Sequence, residues 1–232
     1  MSPEHYSTQL PTRCLELLDD WWLEVSRKRK PEHGGPLTTT FLLSMSLPIV
    51  LLPLERIFFA ASDAHTNERD VRPEWARSFR EDFKSNFEDA AFFIPNIWSY
   101  TLSIEQFNLS QIPPELLQKL DGEAPRKAAA ELPISQWSSV IRNALAHGGI
   151  AYLDGRGNPA PGATAEMFLF VSQKKKRSPP CGQCGSQQEQ LIGLQCLRIS
   201  VSDFLLFLKA WVAWLKKSGI EKVIDQQPAI AA

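Results

Sequence analysis

Three polar residues stand close together in the segment SSVIRNALAHGGIAYLD, residues 138–154. Arg142 and Asn143 are adjacent, and His147 lies four residues further on. Histidine titrates near neutral pH and can act as a general acid or base, while arginine carries a permanent planar charge that suits phosphate oxygens. The combination is typical of acid–base chemistry on an anionic substrate. The alternative interpretation is helix punctuation, because a histidine followed by two glycines is also an ordinary helix end.

The run that carries these residues predicts an amphipathic helix over about 134–147. Its apolar arc on a helical wheel consists of Trp137, Val140, Ile141, Ala144 and Leu145. Small residues, Ser139 and Ala146, lie between the polar ones and would let another surface approach. Arg142 and His147 are about 140° apart on an ideal helix, so they do not pair side by side within it.

The composition bounds the class of protein. The chain has 232 residues, 44% of them hydrophobic and 22% charged, which is ordinary for a globular protein with a sizeable core. The net charge of −1 means that no global field attracts nucleic acid, so polyanion binding would need a local patch. The four cysteines are too few for a disulfide scaffold. The N-terminus shows no apolar signal core, and we expect a cytoplasmic protein.

The most apolar stretch, residues 41–61, deserves a test as a membrane span. It contains Pro48, Pro53, Glu55 and Arg56. Its charge-free part is therefore shorter than the roughly 18 to 20 residues that a bilayer requires. We interpret it as a core helix that its prolines kink or break, and we expect no membrane partner.

Helical periodicity predicts further helices along the chain. A step of four residues from Trp75 to Ala91 is the strongest of these signals. The other predicted helices span residues 9–27, about 114–120, about 126–131 and about 202–217, the last with Ser202 and Asp203 as its cap.

The pattern changes after the motif helix. The runs GGIAYL, EMFLFVSQ and QLIGLQCLRIS predict a small antiparallel sheet, and the polar tip KKKRSPPCGQCGSQQEQ is predicted to be irregular. Since no repeat or linker is evident, we expect one domain over 1–232. Its helical part would span about 9–147 and its β appendage about 149–200, followed by the C-terminal helix.

The heptapeptide RNALAHG resembles the Arg-x4-6-His signature of HEPN domains, in which a polar residue commonly follows the arginine. The continuation GGIAYLDGRGNP and the earlier LSMSLPIVLLPLERI are similar to a bacterial, partly plasmid-borne HEPN subfamily, and the resemblance covers residues 40–150. It implies a mainly α fold, a HEPN-like helical bundle with a small antiparallel sheet or hairpin before the C-terminal helix. It also implies a homodimer and a metal-independent endoribonuclease of toxin–antitoxin or phage-defence type, without cofactors and with an antitoxin protein as a candidate partner.

The resemblance implies a role for each motif residue. His147 would serve as acid or base, Arg142 would stabilise charge on the phosphate, and Asn143 would position the phosphate or the histidine. One histidine is poorly placed for both proton transfers, and a two-fold dimer would bring two together. A second pair, Arg27 and His33, also fits the spacing, but Pro31 breaks the helix between them.

Charges elsewhere supply secondary candidates. Glu55 and Arg56 interrupt an apolar helix, where a structural salt bridge, an exposed helix end or a supporting role beside the motif would each account for them. The basic run Lys174, Lys175, Lys176 and Arg177 is either a solvated surface or an RNA-backbone contact.

Cys181 and Cys184 form a Cys-x2-Cys pair, which is half of a zinc knuckle. A redox pair is the other interpretation. Cys14 and Cys196 are predicted on a helix and a strand, so we expect no closed zinc site within one chain.

The sequence thus predicts a ribonuclease that cuts single-stranded or loop RNA. Two alternatives remain: a catalytically silent HEPN-like module that binds nucleic acid, nucleotide or a protein, and a helical interaction protein whose motif is only a helix cap.

Overall fold

The computed structural model describes residues 8–28, 35–55, 83–160, 162, 164–177 and 189–218. It is 51% helical and 21% strand, which makes the fold mixed α/β. The predicted class, a mainly α HEPN-like helical bundle with a small β appendage, is therefore wrong. The strands form a continuous four-stranded antiparallel sheet that is a layer of the core in its own right.

The sheet has the order β1-β4-β3-β2. Three of its strands fall in the runs predicted to form strands, but β1 lies in a segment with no clear strand signal. The basic run, predicted to be irregular, continues β3 instead and pairs with the start of β4. The strands are β1 (Ser99–Ser103), β2 (Ile150–Leu153), β3 (Met167–Arg177) and β4 (Glu189–Ser200).

The described residues form six α-helices, and those predicted at 9–27, 114–120, 126–131 and 134–147 are present. The cap predicted at Ser202 and Asp203 is wrong, because Ser200 is the N-cap of the last helix and its Oγ accepts from the Asp203 amide at 3.0 Å. The helices are α1 (Gln9–Arg27), α2 (Thr38–Glu55), α3 (Pro114–Gln118), α4 (Glu123–Ala130), α5 (Ile134–His147) and α6 (Val201–Lys217).

The helix predicted from Trp75 to Ala91 is wrong over its described part, which begins at residue 83. The chain there makes turns and one 3₁₀ turn, Phe87–Asp89. The Phe87 amide donates to the Leu132 carbonyl at 2.7 Å, and the Ile134 amide donates to the Ser85 carbonyl at 3.0 Å. Backbone pairing with the residues before α5 therefore replaces the helical hydrogen bonds, while Phe87 keeps its place in the core.

The sheet is covered on both faces, which is why β3 carries five consecutive buried residues, 168–172. The larger core lies between one face and helices α1, α2, α5 and α6, and it is rich in aromatic rings. At its centre Trp137 of α5 stacks on Phe87, with ring centroids 4.4 Å apart. A smaller cluster under α3 covers the other face.

The smaller layer is held by a buried charge. Arg198 of β4 is 9% exposed, and its Nη2 donates to the Leu120 carbonyl at 2.7 Å and to Asp121 Oδ1 at 2.6 Å. These bonds satisfy a carbonyl just after α3 and place an opposite charge beside the guanidinium, as a buried arginine requires.

Helix α2 is the one helix in the described ranges that is long and apolar enough to cross a membrane. Its residues Leu42, Ile49, Val50 and Leu54 are fully buried within the larger core. One side of the helix therefore packs in the core, as interpreted from the sequence, although only 33% of the span is buried; this suggests a soluble protein, and the cytoplasmic location stays a prediction.

Two prolines sit within α2 without breaking it. The turn Leu47–Leu51, which contains Pro48, widens into a π-helical turn that absorbs the irregularity. Pro53 has no amide N–H, so the carbonyl of Ile49 lacks the donor that an α-helix would supply four residues on. The indole Nε1 of Trp211 on α6 donates to that carbonyl at 2.8 Å. A tertiary hydrogen bond thus replaces the missing helical one.

This hydrogen bond is testable with two matched substitutions. Trp211→Phe and Trp137→Phe each remove the same ring volume from a fully buried site, but Trp137 Nε1 has no hydrogen-bond partner among the described residues. We expect Trp211→Phe to lower the free energy of unfolding by about 1–3 kcal/mol more than Trp137→Phe, because it also leaves a buried carbonyl unpaired. Urea unfolding followed by far-UV circular dichroism measures the difference, and equal losses would contradict the assignment.

Candidate functional site

A polar cleft of about 910 Å³ opens between α5 and the strands β3 and β4. Helix α5 contributes Gln136, Ser139, Asn143 and His147, whose spacing of three, four and four residues keeps them on one side of the helix. The strands contribute residues 171–175, Glu189 and Gln195. Two of the three motif residues, Asn143 and His147, therefore share a concave polar site. Arg142 is not among its lining residues.

The two glycines after His147 set the position of this helix end. Gly148 takes the left-handed conformation, with φ +69°, and its amide donates to the Ala144 carbonyl to close the helix. A Cβ on Gly149 would lie 2.2 Å from the Val171 carbonyl oxygen, and the Val171 amide donates to Gly149 at 2.7 Å. The end of α5 thus rests on the backbone of β3, which brings His147 beside the strand.

The two glycines should respond differently to alanine. Gly149→Ala would push the helix end away from the Val171 carbonyl and should lower the free energy of unfolding more than Gly148→Ala does. An alanine at 148 meets open space, so its only cost is the left-handed strain of about 1–2 kcal/mol. We expect Gly149→Ala to melt lower than Gly148→Ala by about 2–4 °C for each additional kcal/mol. Scanning calorimetry measures both. A lower melting temperature for Gly148→Ala would show that the helix end does not rest on β3 as described.

The lysines on β3 supply the positive charge of the cleft. Lys174 and Lys175 both line it, although neighbouring residues of a regular strand face opposite sides. The register shifts between them, and such a bulge twists a strand and redirects its side chains. Lys175 Nζ lies 3.3 Å from Glu189 Oε2. Lys174 is half-buried and has no ion-pair partner in the part of the chain that the structure describes.

Two carboxamides, Gln136 and Gln195, form one wall of the cleft, and Tyr100, which is not a lining residue, completes a hydrogen-bonded triad with them. Gln136 Nε2 donates to Gln195 Oε1 at 2.8 Å and to Tyr100 Oη at 3.0 Å, and Tyr100 Oη is 3.5 Å from Gln195 Oε1. Burial raises the pKa of Tyr100; the hydrogen bond from Gln136 opposes this shift and the nearby Cys196 adds to it. The phenol therefore stays neutral and can both accept and donate. The triad ties α5 to β4 and β1.

One further polar atom of the cleft stands out. Ser172 is 6% exposed, and its Oγ has no hydrogen-bond partner among the described residues. Burying a hydroxyl without a partner costs about 1–3 kcal/mol. Its neighbours on the same face of β3, Phe168 and Phe170, are apolar members of the core. The core therefore gives way to polar groups at residue 172.

Arg142 pairs with the end of α2. Its Nε donates to Glu55 Oε1 and its Nη2 donates to Glu55 Oε2 at 3.1 Å, so the contact is bidentate. The side chains of Arg142 and Glu55 are 35% and 25% exposed. The structure thus brings the first motif residue together with a secondary candidate, Glu55, and separates both from the cleft. The large angle between Arg142 and His147 on the helical wheel anticipates this separation.

The Arg142–Glu55 pair yields a double-mutant test. We expect Arg142→Ala and Glu55→Gln each to destabilise the fold, with a coupling energy of about 0.5–3 kcal/mol between them, because each removes the other's partner. Urea unfolding of both single variants and the double variant measures the coupling. RNA affinity of the folded variants should stay close to that of the unaltered protein. If the losses in unfolding free energy were additive and Arg142→Ala lost RNA binding, the result would contradict this assignment. It would favour the phosphate-stabilising role that the resemblance implies for Arg142.

Some of the remaining predicted residues are described by the structure, and others lie outside the described ranges. Lys176 is exposed and does not line the cleft, and Arg177 is the last residue of β3. Arg56, His33, Cys181 and Cys184 lie outside the described residues, so the proposed zinc or redox pair remains a prediction.

Within the described ranges no group of three or more metal-ligating side chains occurs. The two described cysteines, Cys14 and Cys196, are buried and free. Burial raises the pKa of Cys196 to about 12, which keeps it a thiol at neutral pH.

Sequence reasoning missed the residues of the strand side, above all Ser172, Gln195 and Tyr100. A signal exists for two of them: Ser172 and Gln195 are polar positions inside otherwise apolar strand runs. In comparisons with protein-family models, with curated proteins and with solved structures, nothing matches this chain.

Proposed function

We propose that the protein is a metal-independent endoribonuclease that binds and cuts RNA in the cleft between α5 and the sheet. The observation that supports the proposal is that His147, Lys174 and Lys175 line the same cleft. An imidazole can exchange a proton near neutral pH, and ammonium groups attract and stabilise a phosphate. The motif histidine therefore has the charged partners that phosphodiester cleavage needs, although these come from β3 and not from Arg142.

The chemistry follows from these groups. His147 accepts the proton of the ribose 2′-hydroxyl, and the 2′-oxygen attacks phosphorus while the bond from phosphorus to the 5′-oxygen breaks. The lysine ammonium groups stabilise the charge that builds on the non-bridging oxygens. The departing 5′-oxygen takes a proton from the Lys174 ammonium, and a 2′,3′-cyclic phosphate remains on the upstream fragment.

The helix dipole of α5 favours one part of the cleft for the phosphate of the proposed substrate. The carbonyl end of a helix carries partial negative charge and disfavours an anion close by. The phosphate is therefore expected nearer to Lys174 and Lys175 than to the last turn of α5. Lys175 already faces Glu189 at 3.3 Å, so Lys174 contributes the larger share of uncompensated positive charge. Binding through these charges would weaken as salt increases.

The remaining expectations rest on the resemblance alone. These expectations are the homodimer, the antitoxin partner and the setting in toxin–antitoxin or defence systems. Only the resemblance supports them. A cleft that holds both a histidine and a lysine does not require a second histidine from another subunit.

Substitutions in the cleft test the proposal. We expect His147→Ala to reduce cleavage of a fluorescent single-stranded RNA by about 10²- to 10⁴-fold, the usual contribution of general acid–base catalysis. Its melting temperature should fall by only about 2–4 °C, since a charge at a helix end contributes no more than about 1 kcal/mol. Lys174→Ala should also lose cleavage. Cleavage by the unaltered protein should persist in excess chelator and leave cyclic or 3′-phosphate ends.

Two control substitutions test whether a loss of cleavage is specific to the residues of the cleft. Lys119→Ala removes an exposed lysine just after α3, outside the cleft, and His33→Ala removes the histidine of the second spacing match; neither should change the rate. Loss of activity in chelator, or full activity in His147→Ala, would contradict the mechanism. RNA binding without cleavage would favour the catalytically silent module. Restored cleavage on mixing His147→Ala with Lys174→Ala would favour a site shared between subunits.

A further inference from the structure

The wall of the cleft formed by Gln136 and Gln195 carries two carboxamides that leave part of their hydrogen-bonding capacity unused after bonding to each other and to Tyr100. Both N–H groups of Gln136 are engaged, one by Tyr100 and one by Gln195. Gln195 accepts through its Oε1 and is 5% exposed. No further hydrogen bond of either side chain occurs within the described part of the chain. The Gln136 oxygen and the Gln195 amino group therefore remain for a ligand or solvent.

The complementarity of these unused groups does not depend on which way round the amides lie. If both amides are turned over, Gln195 donates, Gln136 accepts and Tyr100 reverses its role, and the pairing distances are unchanged. In either arrangement one carboxamide keeps an acceptor oxygen and the other keeps a donor group. The wall thus offers one donor and one acceptor held close together by a 2.8 Å bond.

Ser172 adds a third polar group to the same cleft. It pairs across the sheet with Gln195, so the two residues are direct cross-strand neighbours. Its buried hydroxyl has no protein partner in the described ranges. A hydroxyl can donate or accept a hydrogen bond, and burying it without a partner lowers the stability of the fold. The charged end of the cleft, at Lys174 and Lys175, follows directly along β3.

We propose that Gln136, Gln195 and Ser172 form a subsite for the hydrogen-bonding edge of a nucleobase, adjacent to the phosphate position at the lysines. The inference rests on the proposed RNA-binding function and specifies its substrate class. A base edge carries neighbouring donors and acceptors that a pair of carboxamides can match, whereas an abasic 2′-O-methyl backbone presents only acceptor oxygens to them. Tyr100 is a positioning residue, because it fixes the two amides.

Binding of uncleavable RNA tests the subsite separately from cleavage. The probes are fluorescein-labelled 2′-O-methyl oligonucleotides of equal length made of uridine, of cytidine, or of abasic residues, measured by fluorescence anisotropy. We expect the unaltered protein to bind at least one base-bearing probe about 5- to 100-fold more tightly than the abasic probe. Gln195→Glu should change the ratio of uridine to cytidine affinity in favour of cytidine by about 5-fold or more, because a carboxylate only accepts and cytosine offers an amino group.

Two further variants keep the outcome interpretable. Gln118→Glu makes the same chemical change on the exposed surface of α3 and should leave the ratio unchanged. Ser172→Ala adds no charge; it should weaken the binding of the base-bearing probes and leave the binding of the abasic probe unchanged. This variant tests the subsite if Gln195→Glu fails to fold. Equal affinity for base-bearing and abasic probes would overturn the subsite and leave the proposed ribonuclease standing. If none of the probes bound, both proposals would be overturned.

Discussion

The contact between the end of α5 and the backbone of β3 is the constraint on which the cleft depends. Because Gly149 has no side chain, the helix end can lie within hydrogen-bonding distance of Val171, and Gly148 supplies the left-handed turn that allows it. At its other end α5 is tied to β4 and β1 through Gln136. The helix therefore crosses the sheet at the level where Ser172 pairs with Gln195. Both strands continue past this level, and the space beside α5 becomes a cleft.

Helix α5 divides its surface among three tasks. One side holds Trp137 and its apolar neighbours in the aromatic core, which fixes the helix on the sheet. A second side carries the polar line from Gln136 to His147. Arg142 lies outside both and reaches the end of α2, where it meets Glu55. A sequence signature that joins Arg142 and His147 therefore joins two different surfaces of this helix within one chain.

Local signals predicted what local physics determines. The helix over Ile134–His147 and its glycine end follow from periodicity and backbone conformation, and both were predictable from the sequence. The long-range contacts were not. Phe87 and its neighbours have helical spacing, yet they pair with the strand-like residues before α5, and β1 is recruited by its antiparallel partner β4 despite a weak strand pattern. The buried Arg198 and the polar wall likewise depend on partners more than 30 residues away. Hydrophobic periodicity, which is read over a short window of sequence, does not report contacts at that separation.

The polar wall explains why the larger core ends where it does. Phe168 and Phe170 face the helices and belong to that core, but Ser172 and Lys174 follow on the same strand. A valine or leucine at 172 would extend the core and avoid an unpaired hydroxyl, so the serine lowers stability at this point. The network of Gln136, Gln195 and Tyr100 is satisfied only in part, which leaves the wall with capacity for an outside partner. Departures from the rules of core packing commonly coincide with functional sites. Here they coincide with the cleft that His147 and the lysines share, so the unpartnered Ser172 hydroxyl and the motif histidine line the same cleft.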